Sequence, residues 1–122
     1  MLEAGPGANV AIGPGFVAEG ATFFRGARLG EAVSFVPRPN EFRIDPISGF
    51  VRDTYGVSVF DNAASVSSRG LVPHQVNPST IPGSLRFIQR GNDPHHFELV
   101  PTPGANLLPR EFIDACSAIR CF

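Results

Sequence analysis

The segment HHFELVP, residues 95–101, carries three side chains that can exchange protons. Alternate residues of a β-strand face the same side, so His96 and Glu98 would share one face, with His95 and Phe97 on the other. An imidazole and a carboxylate that enter one cleft can act as general base and general acid. This spacing therefore makes His96 and Glu98 candidate catalytic residues.

One hydroxyl lies inside the apolar strand end VSVF, residues 57–60. A serine among buried apolar side chains costs desolvation free energy unless its hydroxyl finds a partner. A ligand group in a cleft would be such a partner, and a neighbouring backbone group is the alternative. Ser58 is thus a candidate ligand-binding residue, while Asp61 is expected to cap the next turn through an Asx bond.

A cation follows the aromatic pair in TFFRG, residues 22–26. Arg25 precedes a glycine, whose backbone a ligand can approach closely. Its planar guanidinium can donate two parallel hydrogen bonds to a phosphate. Phosphate binding by Arg25, with Arg28 as the second candidate, is one interpretation, and a solvated arginine at a strand end is the other.

Short strands and turns must position these residues, because the chain contains 12 prolines and 13 glycines. Strands are predicted at 23–25 and 57–60, and LRFIQRGNDPHHFELV, residues 85–100, is predicted to form a hairpin. Three prolines within residues 31–56 favour an extended loop around a short strand or helical turn. Residues 63–85, rich in Ser, Pro and Gly, are predicted to form a long loop that includes His74.

The C-terminus has the clearest helical pattern. In LPREFIDACSAIRCF a proline suits the first helical position and a glutamate suits the first turn. Apolar side chains recur every three or four residues, at Phe112, Ala115, Cys116, Ile119 and Phe122. Several short strands with one such helix predict the α+β class.

Composition narrows the function classes. The length of 122 residues fits one domain, and a net charge of −1 gives no global field for nucleic acid or an anionic membrane. No apolar run reaches the ~18 residues of a membrane span, so no membrane insertion is expected. Residues 1–15, with two GPG repeats, are predicted to be a flexible leader, and 16–122 a single domain. The histidines and cysteines lack the spacing of metal ligands, so no metal is expected.

All ten basic residues are arginines. This bias fits GC-rich codon usage, selection against ubiquitin acceptor sites, or the use of planar guanidinium groups at phosphates. The two cysteines would lie on different faces of a C-terminal helix, which favours two reduced thiols over a disulfide.

Three segments occur in an order that resembles the Tse2-like toxins, a branch of the ADP-ribosyltransferase-like proteins. They are FFRG, then GVSVFD, then STIPGSLRFIQRG followed by HHFELVP. The resemblance runs from about Phe23 to the C-terminal helix, and SVFD and IPGSL are its most specific matches. The family has a Thr-Ser pair where this chain has Val57-Ser58, so one hydroxyl stands in place of two.

The resemblance implies a small split β-sheet ADP-ribosyltransferase-like domain with a C-terminal helix, which takes NAD as its substrate. It implies NAD contacts from Arg25, Ser58 and Phe60; the Phe60 ring would stack on the nicotinamide, and a place in the core is the alternative for this ring. It also implies catalytic roles for Ser58, His96 and Glu98. His96 aligns with a family histidine, whereas Glu98 corresponds only to the late-strand glutamate of many ADP-ribosyltransferases.

The resemblance further implies a toxin that acts in the cytoplasm on an unknown macromolecular or small-molecule acceptor. A cognate immunity or antitoxin protein would neutralise it. The N-terminus has no basic region and carries Glu3, unlike a signal peptide, so export would depend on a secretion machine that needs no such signal.

Two other functions are compatible with the same residues. A metal-independent ribonuclease toxin would use His95, His96, Glu98 and the arginines as acid, base and phosphate clamps, but it leaves Ser58 without a role. A non-catalytic interaction module on a degenerate transferase fold would explain the missing threonine. NAD binding favours the transferase, RNA cleavage without NAD favours the ribonuclease, and neither result favours the interaction module.

Overall fold

An antiparallel sheet with two short α-helices forms the part of the chain that the computed structural model describes, residues 11–12 and 22–122. The strands are β1 Ala11–Ile12, β2 Phe24–Ala27, β3 Val57–Phe60, β4 Val72–Gln75, β5 Leu85–Gln89 and β6 His96–Pro101. The helices are α1 Ala63–Ser67 and α2 Pro109–Ser117, and short 3-10 turns span Pro39–Glu41 and Pro78–Thr80. The predicted α+β class is confirmed.

Five strands of four to six residues make up most of the sheet, and the two-residue β1 lies at one edge. The strand order is β1-β5-β6-β3-β2-β4, and each pairing is antiparallel. Of the predicted leader, residues 1–15, only Ala11 and Ile12 are described, where they pair with β5. The rest of that prediction lies outside the described residues.

The predicted hairpin is confirmed as β5 and β6, which share five registered residue pairs. Its turn contains Gly91 at φ 85°, a left-handed conformation that glycine adopts without steric cost. Strand β3 pairs with the other side of β6 over four residues. The hairpin and β3 together form the centre of the sheet.

One face of the sheet holds the core. The rings of Phe23 and Phe87 stack with centroids 4.3 Å apart, and Phe97 meets Phe23 edge-on at 5.0 Å. Helix α2 buries Phe112 and Cys116 in the same core. Since side chains alternate along a strand, the residues between these core positions in β3 and β6 face the other side of the sheet.

The prediction of a long loop at 63–85 is wrong, because that stretch contains α1, β4 and a 3-10 turn. Helix α1 begins after Asn62, whose side chain accepts a hydrogen bond from Ser65 N at 2.7 Å. Strand β4 forms through four backbone pairs with β2, and one of them joins His74 to Arg25. Strand β4 was not predicted because it contains Pro73, and proline has a low propensity for strands. Proline is nevertheless tolerated in a strand at a sheet edge.

Residues 31–56 match their prediction, with a 3-10 turn and an isolated pair between Ile44 and Val51. The first predicted strand is displaced: β2 begins at Phe24 and continues past Gly26. Helix α2 starts at Pro109 as expected but ends at Ser117, so the helical pattern fails beyond that point. Phe122, expected on the apolar face, is 77% exposed.

Candidate functional site

The pairing of β3 with β6 brings the three predicted catalytic residues together. Ser58 is the register partner of Glu98, and Phe60 is the register partner of His96. Register partners in an antiparallel pair project to the same face, so all four side chains lie on the face opposite the core. We call this the Ser58 face.

A serine–histidine hydrogen bond lies at the centre of the Ser58 face. Ser58 Oγ is 3.0 Å from His96 Nε2, and His96 Nδ1 is 2.9 Å from the backbone carbonyl of Arg90. A carbonyl only accepts, so His96 donates from Nδ1 to Arg90, and in a neutral imidazole this leaves Nε2 as an acceptor for the Ser58 hydroxyl. The partner of the Ser58 hydroxyl is therefore His96, and this imidazole is oriented as a base.

Glu98 is the buried acid of the group, with a side chain only 6% exposed. Its Oε1 accepts from Gly56 N at 3.1 Å and from Arg90 Nε at 3.1 Å. Its Oε2 lies 4.0 Å from His96 Nε2. One carboxylate oxygen is thus fixed by two donors, while the other faces the Ser58–His96 pair.

Gly56 is required where β3 begins. A Cβ on this residue would lie 2.2 Å from the carbonyl oxygen of Leu99, so only glycine lets the backbone approach β6 this closely. The same approach brings Gly56 N to the Glu98 carboxylate. The glycine therefore helps to place the acid.

Phe60, whose ring is implied to stack on nicotinamide, is a buried residue with 7% exposure. The Arg69 guanidinium carbon lies 4.3 Å from its centroid, and the His96 ring lies 5.3 Å away. Arg69 also bonds Asp93 at 3.0 Å, with 43% of its own side chain exposed. The backbone N–H of His95 and, secondarily, the Arg69 guanidinium lower the pKa of Asp93.

Arg25 is not brought together with the hydroxyl of Ser58. Its neighbour Phe24 pairs with Phe60, so Phe24 lies on the Ser58 face and the Arg25 side chain leaves β2 on the other. The Arg25 side chain is 13% exposed, and its guanidinium bonds the backbone carbonyls of Ser58 and Ser34 and the Glu41 carboxylate.

Arg28, the second phosphate candidate, is exposed beside Arg25. Both line a cavity of about 370 Å³ together with Arg38, Glu31 and Glu41. Ser58, His96 and Glu98 do not line it. This mixed arrangement of charges is separate from the Ser58 face.

The expected cap by Asp61 is wrong, because Asn62 is the N-cap of α1. Asp61 Oδ1 instead lies 2.7 Å from His95 Nδ1 at the surface. Sequence reasoning also missed the roles of Gly56, Arg69 and Arg90. Only Arg90 left a signal: it follows directly after β5, and its alternation with Arg86 and Ile88 predicts that these three side chains share one face.

The cysteines are free thiols, as predicted. Burial raises the pKa of the Cys116 thiol to about 12 and also raises the pKa of Cys121.

Across residues 11–12 and 22–122, no three His, Cys, Asp or Glu side chains cluster closely enough to hold a metal ion. No helix in this part of the chain is long and apolar enough to cross a membrane.

Comparison with known proteins identifies no relative: no family model matches the chain, and neither curated proteins nor solved structures gave a match. Function must therefore be argued from the site.

Proposed function

We propose that this chain is a toxin of the ADP-ribosyltransferase type, which binds NAD on the Ser58 face and cleaves the bond between the ribose and the nicotinamide of NAD. The observation that carries the proposal is the grouping of Ser58, His96 and Glu98 around one hydrogen bond of 3.0 Å. ADP-ribosyl transfer requires a small hydroxyl beside the ribose, and Ser58 would supply it. His96 and Glu98 supply a base and a carboxylate next to it.

Each group has a role in this chemistry. When nicotinamide leaves, positive charge develops on the ribose, and the free Glu98 Oε2 is placed to stabilise that charge. The Ser58 hydroxyl donates to His96 Nε2, so its lone pairs stay available to a ribose hydroxyl. His96 Nε2 can take up the proton of an incoming acceptor or water through this hydroxyl.

The pyrophosphate needs a cation on the same face. Arg69 fits this role, because it lies over Phe60 and its only carboxylate partner among the described residues is the surface pair with Asp93. Exposed ion pairs contribute about 0–1 kcal/mol, so a phosphate can compete for this guanidinium. Movement of Arg69 toward the phosphates would also uncover the Phe60 ring for the nicotinamide.

The resemblance supports the remaining parts of the proposal. The ADP-ribosyltransferase-like fold has a split sheet, and the single residue pair between β2 and β3 is compatible with such a split. We propose that the toxin acts in the cytoplasm, modifies an acceptor there, and is neutralised by a cognate immunity or antitoxin protein. Expression of the folded chain alone should then arrest growth, and normal growth with soluble protein present would contradict this part.

A ribonuclease is the second candidate, and one contact favours it. His95 Nδ1 lies 2.7 Å from Asp61 Oδ1, so a second imidazole next in sequence to His96 is also oriented by an acceptor. Two histidines with nearby arginines suit RNA cleavage without a metal.

One experiment separates the two candidates. Purified protein is incubated with NAD, and free nicotinamide is measured; a parallel reaction holds RNA without NAD. We expect nicotinamide release that is lost in His96→Ala and retained in His95→Ala, the matched control. RNA cleavage that both substitutions abolish would favour the ribonuclease, and inactivity in both reactions would favour a non-catalytic interaction module.

A further inference from the structure

The sheet opens between β2 and β3 just beside the candidate site. The two strands share only the Phe24–Phe60 pair. The other residues of β2 pair with β4 alone, and the other residues of β3 pair with β6 alone. Ser58 lies two residues from that pair on β3. Its backbone carbonyl therefore faces a gap where a regular sheet would supply a backbone N–H.

The Arg25 guanidinium closes this gap. Its Nη1 donates to the Ser58 carbonyl at 2.7 Å, a charge-assisted hydrogen bond in place of the missing ladder bond. Its Nε donates to Ser34 O at 3.0 Å, and Glu41 lies 3.3 Å from Nη1. Ser58 belongs to β3, and Ser34 and Glu41 belong to the loop at 34–41, so the guanidinium fixes the Ser58 backbone relative to this loop.

The same contacts argue against a direct role of Arg25 in phosphate binding. The side chain is 13% exposed and leaves β2 on the side opposite the Ser58 hydroxyl. A phosphate bound there would have to displace the Glu41 carboxylate. It would also leave the Ser58 carbonyl unpaired, at a cost comparable to a lost hydrogen bond.

We infer that Arg25 is a positioning residue: it holds the Ser58 backbone so that the hydroxyl meets His96 Nε2. The expected effect of Arg25 on catalysis rests on the proposed function, whereas its effect on the position of Ser58 does not. A displacement of about 1 Å in a catalytic group can reduce a rate about 100-fold. Loss of Arg25 should thus lower kcat for nicotinamide release about 10- to 100-fold and leave KM for NAD within about twofold.

The test compares Arg25→Ala and Arg25→Lys with Arg28→Ala, an exposed neighbour on the same cavity. NMR follows the Ser58 carbonyl carbon and the His96 Nε2 resonance, and kinetics follow nicotinamide release. We expect Arg25→Ala to shift both resonances and Arg25→Lys to restore them in part, since an ammonium can still donate to the carbonyl. Arg28→Ala should change neither resonance.

The two measurements keep this inference separate from the proposed function. If the wild-type chain releases no nicotinamide but Arg25→Ala shifts the His96 resonance, the positioning role stands and the NAD proposal fails. If both resonances are unchanged in folded Arg25→Ala and Arg25→Lys, Arg25 does not position Ser58. A rise in KM without a resonance shift would instead assign Arg25 to direct substrate binding. Should Arg25→Ala fail to fold, the Arg25→Lys spectrum decides.

Discussion

Replacing Glu98 by alanine tests whether this buried carboxylate supports the fold as well as the site. The substitution leaves the N–H of Gly56 without its acceptor. A buried unsatisfied donor costs about 1–3 kcal/mol. The lost pair with Arg90 adds about 0–1 kcal/mol, because a third of that side chain is exposed and solvent screens the charge.

Together, the unpaired Gly56 N–H and the lost Arg90 pair should lower the free energy of unfolding by about 1–4 kcal/mol. For a domain of this size, the middle of that range corresponds to a fall in Tm of roughly 8–16 °C. Glu98→Gln keeps an oxygen acceptor at nearly the same place, so it should cost about 1 kcal/mol or less. Glu98→Gln should nevertheless release nicotinamide more slowly, since it removes the charge that faces the ribose.

Urea and thermal unfolding measure these differences, with the exposed Glu31→Ala as control at within about 0.5 kcal/mol of the wild type. If Glu98→Ala is as stable as Glu31→Ala, the carboxylate does not hold the Gly56 backbone. If Glu98→Gln is fully active, the negative charge has no part in the reaction.

Three further predictions concern the elements around the site. Gly56→Ala should destabilise the fold by more than about 2 kcal/mol, since its Cβ would lie 2.2 Å from a carbonyl of β6; Gly83→Ala, where a Cβ meets nothing within 4 Å, is the control. Asn62→Ala removes the N-cap of α1 and should cost about 1 kcal/mol in urea unfolding; a change of zero would contradict the cap. At pH 8, iodoacetamide should modify Cys121 before Cys116, whose buried thiol has a pKa of about 12; mass spectrometry showing the reverse order would contradict this.

Local alternation in the sequence accounts for much of the predicted site. The pattern of residues 85–100 identifies β5 and β6, and the two-residue period of a strand is enough to place His96 and Glu98 on one face. The helix that begins at Pro109 is also predictable, because the proline, the first-turn glutamate and the apolar spacing that indicate it lie within one segment. Where periodicity and turn chemistry agree locally, the prediction holds.

Contacts between distant segments were not predictable. The register that sets Ser58 opposite Glu98 joins residues 40 positions apart, and nothing in either strand specifies it locally. Strand β4 exists because β2 offers it backbone partners, despite the internal proline. The contact of Arg69 with Phe60 likewise depends on how α1 ends and turns toward β4.

The most direct test of the central claim is an NMR titration of the assigned protein with NAD. We predict shifts at Phe60, His96 and Glu98 on the Ser58 face, with loss of those shifts in Ser58→Ala. Residues Arg28 and Arg38 at the separate cavity should remain unchanged. Shifts confined to that cavity, or no shifts at millimolar NAD, would contradict the assignment of the Ser58 face as the NAD site.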